Sequence, residues 1–117
     1  MPTDRTIDYI ELPAHDIEAA KTFYTTVFGW AFADYGPDYT AFNDGRVDGG
    51  FFRAPLRSET RNGAALVVMF AEDLEATLEA VTAAGGTVLK PIFDFPGGRR
   101  FQFADPVGNE LGVWSDR

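Results

Sequence analysis

Hydrophobic and polar positions along the chain switch period several times, and the switches outline its elements. Ile7 to Leu12 alternates as a strand, with Ile7, Tyr9 and Glu11 on one face and Ile10 and Leu12 on the other. From Asp16 the period lengthens to that of a helix, placing Ile17, Ala20, Phe23, Tyr24, Val27 and Phe28 on one stripe. Asp16 is suited to cap its start, and Gly29 to end it in the left-handed conformation. Three strands follow at Trp30–Asp34, Tyr39–Phe42 and Val47–Arg53, punctuated by Gly36-Pro37 and Asn43-Asp44-Gly45. The order is β-α-β-β-β.

Residues 54–63 lack periodicity, are rich in charge and turn formers, and read as a surface connection. The pattern then restarts. Ala65–Phe70 reads as an apolar strand and Asp73 as a helix cap, with Leu74, Leu78, Val81 and Ala84 at helical spacing up to Gly85-Gly86. Thr87–Lys90, Arg100–Ala104 and Glu110–Trp114 supply three more strands, and Pro91–Gly98 reads as irregular. The last two strands, joined by Asp105-Pro106-Val107-Gly108-Asn109, form a hairpin. Asp16 precedes Gly29 by thirteen residues and Asp73 precedes Gly86 by thirteen, so cap and stop recur at one offset of 57. The chain therefore predicts a duplicated α+β unit, with a first module at 5–53, a linker at 54–63 and a second module at 64–117. Each copy is too small to bury its sheet alone, so the two pair within one domain.

At 117 residues the length fits one domain, and eleven Phe exceed what most small cores need, which leaves rings to line a pocket. The net charge of −8 repels phosphate backbones and anionic lipid, excluding nucleic acid and membrane surfaces as expected partners. Cysteine is absent, which removes thiol nucleophiles and Cys-based metal sites. The N-terminal residues form no apolar leader and no run approaches membrane-spanning length, so the expected location is the cytoplasm.

These elements resemble the vicinal oxygen chelate superfamily, the glyoxalase, bleomycin-resistance and extradiol-dioxygenase group. In the first half the resemblance is carried by Ile10-Glu11-Leu12-Pro13, Asp16, Phe23-Tyr24, Phe28-Gly29-Trp30 and Gly49-Gly50-Phe51. In the second it is carried by Asp73-Leu74, Ala84-Gly85-Gly86, Gly98-Arg99 and the Asp105–Asn109 turn. None is specific alone; in order and at family-like spacing they cover nearly the whole chain. The resemblance implies paired modules curling into an open, U-shaped barrel around a cavity, in a homodimer. In metal-dependent members a His seven residues before each helix cap and a Glu in the last strand hold a divalent ion. Here those positions are Tyr9, Leu66 and Gly112, with Gly50 in the related place of the first half. Leu and Gly offer no side-chain donor, so neither the usual metal site nor any other cofactor is expected. The one histidine, His15, falls in the turn beside the helix cap and lacks partners for ligation or for a nucleophilic triad.

With Tyr9 toward the cavity, strand alternation brings Glu11 there too. A half-buried Glu suits a general base or an amine-binding group; the alternative is a rim carboxylate hydrogen-bonded to a neighbouring strand or paired with Arg100. Leu66, Val68 and Phe70 from the second half, with Arg100, Gln102, Glu110 and Trp114, share that wall by the same alternation. Trp30, Tyr39, Phe52 and Trp114 are suited to stack on a flat or cationic ligand, or else belong to the core or a dimer interface. The candidate set is thus Glu11 as a catalytic residue, with Tyr9, Glu11, Trp30, Tyr39, Phe52, Leu66, Phe70, Arg100, Gln102 and Trp114 contacting a ligand. Three functions fit: a metal-free binding protein for a small, partly aromatic or cationic molecule, of the bleomycin-resistance kind; a glyoxalase-like lyase or isomerase; or a structural or regulatory partner of another protein. The lyase or isomerase would use Glu11 as base or an unconventional metal site.

Overall fold

The computed structural model describes residues 2–117 and divides them into two compact units, one reaching Leu56 and the other running Arg57–Arg117. The first unit contains β1 (Tyr9–Ala14), α1 (Ile17–Phe28), β2 (Ala31–Asp34), β3 (Tyr39–Asn43) and β4 (Asp48–Arg53). Its sheet has the order β1-β4-β3-β2, with β1 and β4 parallel and the other pairs antiparallel. The second unit repeats the plan with β5 (Val67–Phe70), α2 (Leu74–Ala83), β6 (Thr87–Phe95), β7 (Gly98–Ala104) and β8 (Glu110–Ser115), in the order β5-β8-β7-β6. Again the outer strand preceding the helix pairs parallel with the last. The fold is α+β, and each unit is a βαβββ module.

The helix caps are duplicated down to the atoms. Asp16 Oδ1 accepts the Ala19 N–H at 3.1 Å and Asp73 Oδ1 accepts the Ala76 N–H at 3.0 Å, each satisfying a donor that the first helical turn leaves over. Gly29 ends α1 with φ 71°, a left-handed turn that costs a glycine little.

In the first unit the buried face of α1 lies against the sheet through rings. Trp30 stacks on Tyr24 with centroids 4.4 Å apart and on Phe42 at 4.4 Å, and Phe51 closes the group at 5.5 Å from Tyr24. Gly49 makes room for this layer, because a Cβ there would overlap the Phe42 ring. The second core is more aliphatic: Leu74 and Val81 from α2 meet the sheet face that carries Phe101, Phe103, Leu111 and Val113, all essentially inaccessible.

Three sequence expectations shift. The first strand starts at Tyr9, not Ile7, and continues through Pro13 and Ala14, which pair with Phe52 and Arg53. Pro13 is tolerated because β1 is an edge strand. Pro91–Gly98 is not irregular throughout: β6 runs unbroken to Phe95, its register to β7 slipping between Val88 and Lys90 and again between Lys90 and Phe93. That slip accommodates Pro91 on the outer strand of its sheet, where a bulge dispenses with the missing N–H. Finally, the stretch expected as a linker is bonded into the second unit from Arg57 onward. Ser58 N–H donates to Asn109 Oδ1 at 2.8 Å, and Glu110 N–H donates to the Ser58 carbonyl at 2.8 Å. Thr60–Asn62 forms a single 3-10 turn.

Candidate functional site

Each sheet covers its core with one face and leaves the other open, and strand register assigns the residues to faces. On the open face of the first sheet, Tyr9 and Glu11 of β1 stand beside Asp48, Gly50 and Phe52 of β4, with Tyr39 and Ala41 of β3 beyond. Tyr39 reaches back across β4. Its hydroxyl donates to Glu11 Oε2 at 2.8 Å and lies 2.6 Å from the Tyr9 hydroxyl. Burial, followed by the hydrogen bonds with Tyr9 and Glu11 and their charge, pushes Tyr39 ionisation well above its ordinary 10.0. Glu11 is therefore held by a phenol from two strands away, within a carboxylate–hydroxyl–hydroxyl row. Beside the two phenols lies a hollow of about 430 Å³, bordered also by Tyr35 and Asp48.

On the open face of the second sheet, Val68 and Phe70 of β5 adjoin Gly112 and Trp114 of β8, followed by Arg100 and Gln102 of β7 and Phe93 of β6. Phe70 meets Trp114 edge-on at 5.1 Å, and Phe95 meets Trp114 at 6.2 Å. The Arg100 guanidinium carbon stands 5.2 Å from the Phe93 ring centre and 5.9 Å from that of Phe95. A polar chain runs on from it: Arg100 Nη2 donates to Gln102 Oε1 at 3.0 Å, and Gln102 Nε2 donates to Glu110 Oε2 at 2.8 Å. Glu110 Oε1 accepts both the N–H and the hydroxyl of Thr60, each at 2.8 Å. Burial works against ionisation of Glu110, but the bonds from Thr60 and Gln102, with the Lys90 charge, outweigh it and hold the carboxyl below its ordinary 4.5. A hollow of about 250 Å³ lies between Val68, Phe95, Arg100 and Trp114.

The expected ligand-facing residues are thus sorted. Tyr9, Glu11, Tyr39 and Phe52 share one open face; Phe70, Arg100, Gln102 and Trp114 share the other. Leu66 precedes β5 and is half-buried. Trp30 is corrected: it lies in the first core, 6% exposed and sandwiched between Tyr24 and Phe42, because it sits one residue before β2, directly after the turn ending α1. Sequence reasoning missed Phe93 and Phe95. Their signal was the alternation Phe93-Asp94-Phe95, masked by Pro91 and the glycines that follow.

The divalent site of metal-dependent relatives does not fit these residues. The Tyr9 hydroxyl is engaged with Tyr39, the space a side chain at 50 would fill holds the Tyr39 phenol, and Leu66 and Gly112 bring no donor. Among the described residues no three of His, Cys, Asp and Glu converge as a metal-holding group. His15 is exposed in its turn, where its carbonyl accepts Arg53 Nη1 at 3.1 Å.

A sequence profile of the Glyoxalase/Bleomycin resistance protein/Dioxygenase superfamily matches residues 6–113. The chain belongs to this superfamily. Among curated relatives, a putative glyoxylase CFP32 of Mycobacterium bovis is 30% identical over 93% of this chain and 45% of its own length. The anthracycline biosynthesis protein DnrV of Streptomyces peucetius is 33% identical over 91% of the chain and again 45% of its own length. The chain thus spans about half the length of these two relatives. A glyoxylase-like domain-containing protein of Didymella fabae is 35% identical, with 92% of this chain and 91% of that protein aligned. The crystal structure of a glyoxalase-related enzyme from Fulvimarina pelagi superposes with a TM-score of 0.78 at 21% identity, covering 95% of this chain and 88% of that one, so this superfamily member has the superfamily's fold. Among the described residues no helix is long and apolar enough to cross a membrane.

Proposed function

We propose that this superfamily member binds a small, partly aromatic molecule against the open face of its second sheet, without the divalent ion of its metal-dependent kin. The observation that carries this reading is the aromatic platform on the second sheet. Phe70 remains 49% exposed and meets Trp114 edge-on, while Phe95 and Trp114 border a hollow rather than filling a core. The name of the Streptomyces relative, an anthracycline biosynthesis protein, suits a planar aromatic ligand class. On the first sheet, the Glu11–Tyr39–Tyr9 row is suited by itself to hold an amine or a hydroxyl. Chelator-treated protein titrated with a panel of planar aromatic molecules should show saturable quenching of Trp114 fluorescence; flat titrations across the panel overturn the reading. The same proposal carries the homodimer and the cytoplasmic location. A single-chain mass in sedimentation equilibrium counts against the first, and recovery of the native protein outside the cell counts against the second.

A second reading, a metal-independent lyase or isomerase, is favoured by one contact. The carboxylate of Glu11 accepts a hydrogen bond from a phenol that itself meets a second phenol, an arrangement able to take a proton from a carbon acid and hold it. Solvent deuterium incorporation next to the carbonyl of a small ketone or aldehyde, lost in E11Q and unaffected by chelators, would establish it. Equal incorporation by both proteins overturns it.

A further inference from the structure

We infer that the second sheet carries an anion subsite at Arg100, and that the ligand it fits is an aromatic carboxylate. The inference rests on the small-molecule reading above and narrows it.

A chain with net charge −8 is a poor general attractor of anions, so selection of one requires a local cation with unspent donors. Arg100 is such a group. Guanidinium has five N–H donors in a planar fork that matches a carboxylate. Within the unit, Nη2 is engaged by Gln102 Oε1, which fixes the orientation of the group. Its Nε is shut off from solvent and has no acceptor. A desolvated donor without an acceptor is unfavourable, and a ligand oxygen would remove the deficit.

Among the described residues no carboxylate lies within ion-pair distance of Arg100. The carboxylate nearest along the polar chain, Glu110, has one oxygen taken by Thr60 and the other by Gln102. Gln102 therefore insulates the guanidinium from Glu110 while anchoring it. Lys90, paired in register with Gln102 on the same sheet, adds a second positive charge close by.

The surroundings select what carries the anion. Phe93 and Phe95 flank the guanidinium, and Trp114 and Val68 complete the hollow of about 250 Å³, which accommodates a flat ring beside the charge. A bare inorganic anion would leave this apolar wall uncovered, and a neutral ring would leave Nε without an acceptor. An aromatic carboxylate satisfies both. The sequence expectation of a cationic ligand is thereby confined to the first sheet, where Glu11 lies.

The test uses three probes of one shape: the naphthoate anion, neutral naphthamide and a naphthylmethylammonium cation. Each is titrated into chelator-treated wild-type protein and into R100Q, with calorimetry and Trp fluorescence as readouts. Naphthoate is expected to bind wild type about tenfold or more tightly than naphthamide, the scale of a charge-assisted hydrogen bond. R100Q should erase that preference, so that its affinities for naphthoate and naphthamide converge. Naphthoate should also move the Arg100 Nε–Hε resonance in heteronuclear NMR, a readout of wild type alone that decides the matter if R100Q does not fold. Equal binding of naphthoate and naphthamide, or tighter binding of the ammonium probe at the second sheet, overturns the anion subsite and leaves aromatic binding standing. Failure of all three probes to bind overturns both.

Discussion

The phenol of Tyr39 lies over Gly50, in the space where any other residue would place its Cβ. Only across a glycine can the ring cross β4 and bring its hydroxyl to Glu11 on β1, two strands away from its own. Gly50 has an ordinary backbone, so its constraint is purely one of space. G50A should therefore displace Tyr39 and cost about 1–3 kcal/mol, the usual penalty for overfilling a packed position. In a Y39A background the same substitution should cost almost nothing. Urea unfolding of the four proteins of this cycle checks the coupling, and additive losses would show that Gly50 serves something other than Tyr39.

The same relationship sets a pH dependence. Tyr39 ionises above its ordinary 10.0 because burial and its bonds with Tyr9 and Glu11 disfavour the phenolate. The fold thus favours the protonated form. That contribution is fully present below 10.0 and is lost as pH rises through the higher folded value. The difference between ultraviolet titrations of native wild type and Y39F isolates this phenol, and the tyrosinate absorbance it gives should rise only above 10.0; a difference that rises at or below 10.0 would contradict the assignment.

Glu110 predicts the opposite slope. Its folded value lies below 4.5, so it stabilises the fold above that pH, and the contribution disappears as pH falls through the lower folded value. Its two oxygens meet only donors: Thr60 on one side, and the Gln102 amide on the other, whose carbonyl is already engaged by Arg100. E110Q must turn an amide NH₂ against one of them, at a cost of about 1–3 kcal/mol near neutral pH. The gap between E110Q and wild type should close on acidification, because wild type then has to protonate the same group. A gap that is constant with pH, in denaturant unfolding at several values, would refute this account.

The duplication was legible because it rests on local chemistry. Asp16 and Asp73 cap helices in both copies for the same reason, and Gly29 adopts the positive φ that its position after Phe28 implies. The open face of β1 was legible for a similar reason, since alternation alone puts Tyr9 and Glu11 together. What strand alternation does not encode is which partner a long side chain selects. Nothing local to Tyr39 says that it crosses Gly50 to Glu11, and nothing local to Thr60 says that it caps Glu110 fifty residues away. Phe93 and Phe95 were hidden because Pro91 signals a break, whereas an edge strand absorbs the proline in a bulge.

Trp30 and Trp114 divide the aromatic inventory between core and ligand face, and they can be separated by experiment. Trp30 is closed between Tyr24 and Phe42, while Trp114 borders the hollow beside Arg100. Trp30→Ala should empty a ring-sized space in the first core and cost about 3–5 kcal/mol in unfolding free energy. Trp30→Phe keeps most of the stacking and should leave the affinity for a planar aromatic probe unchanged. Trp114→Ala should cost less stability, since Trp114 is only partly buried, yet should weaken probe binding by about tenfold or more through loss of its ring contact. In Trp30→Phe the remaining indole is the reporter, so the quenching signal should survive. If the signal instead vanishes in Trp30→Phe and survives in Trp114→Phe, the ligand lies at the first core, and the aromatic platform of the second sheet is not where it binds.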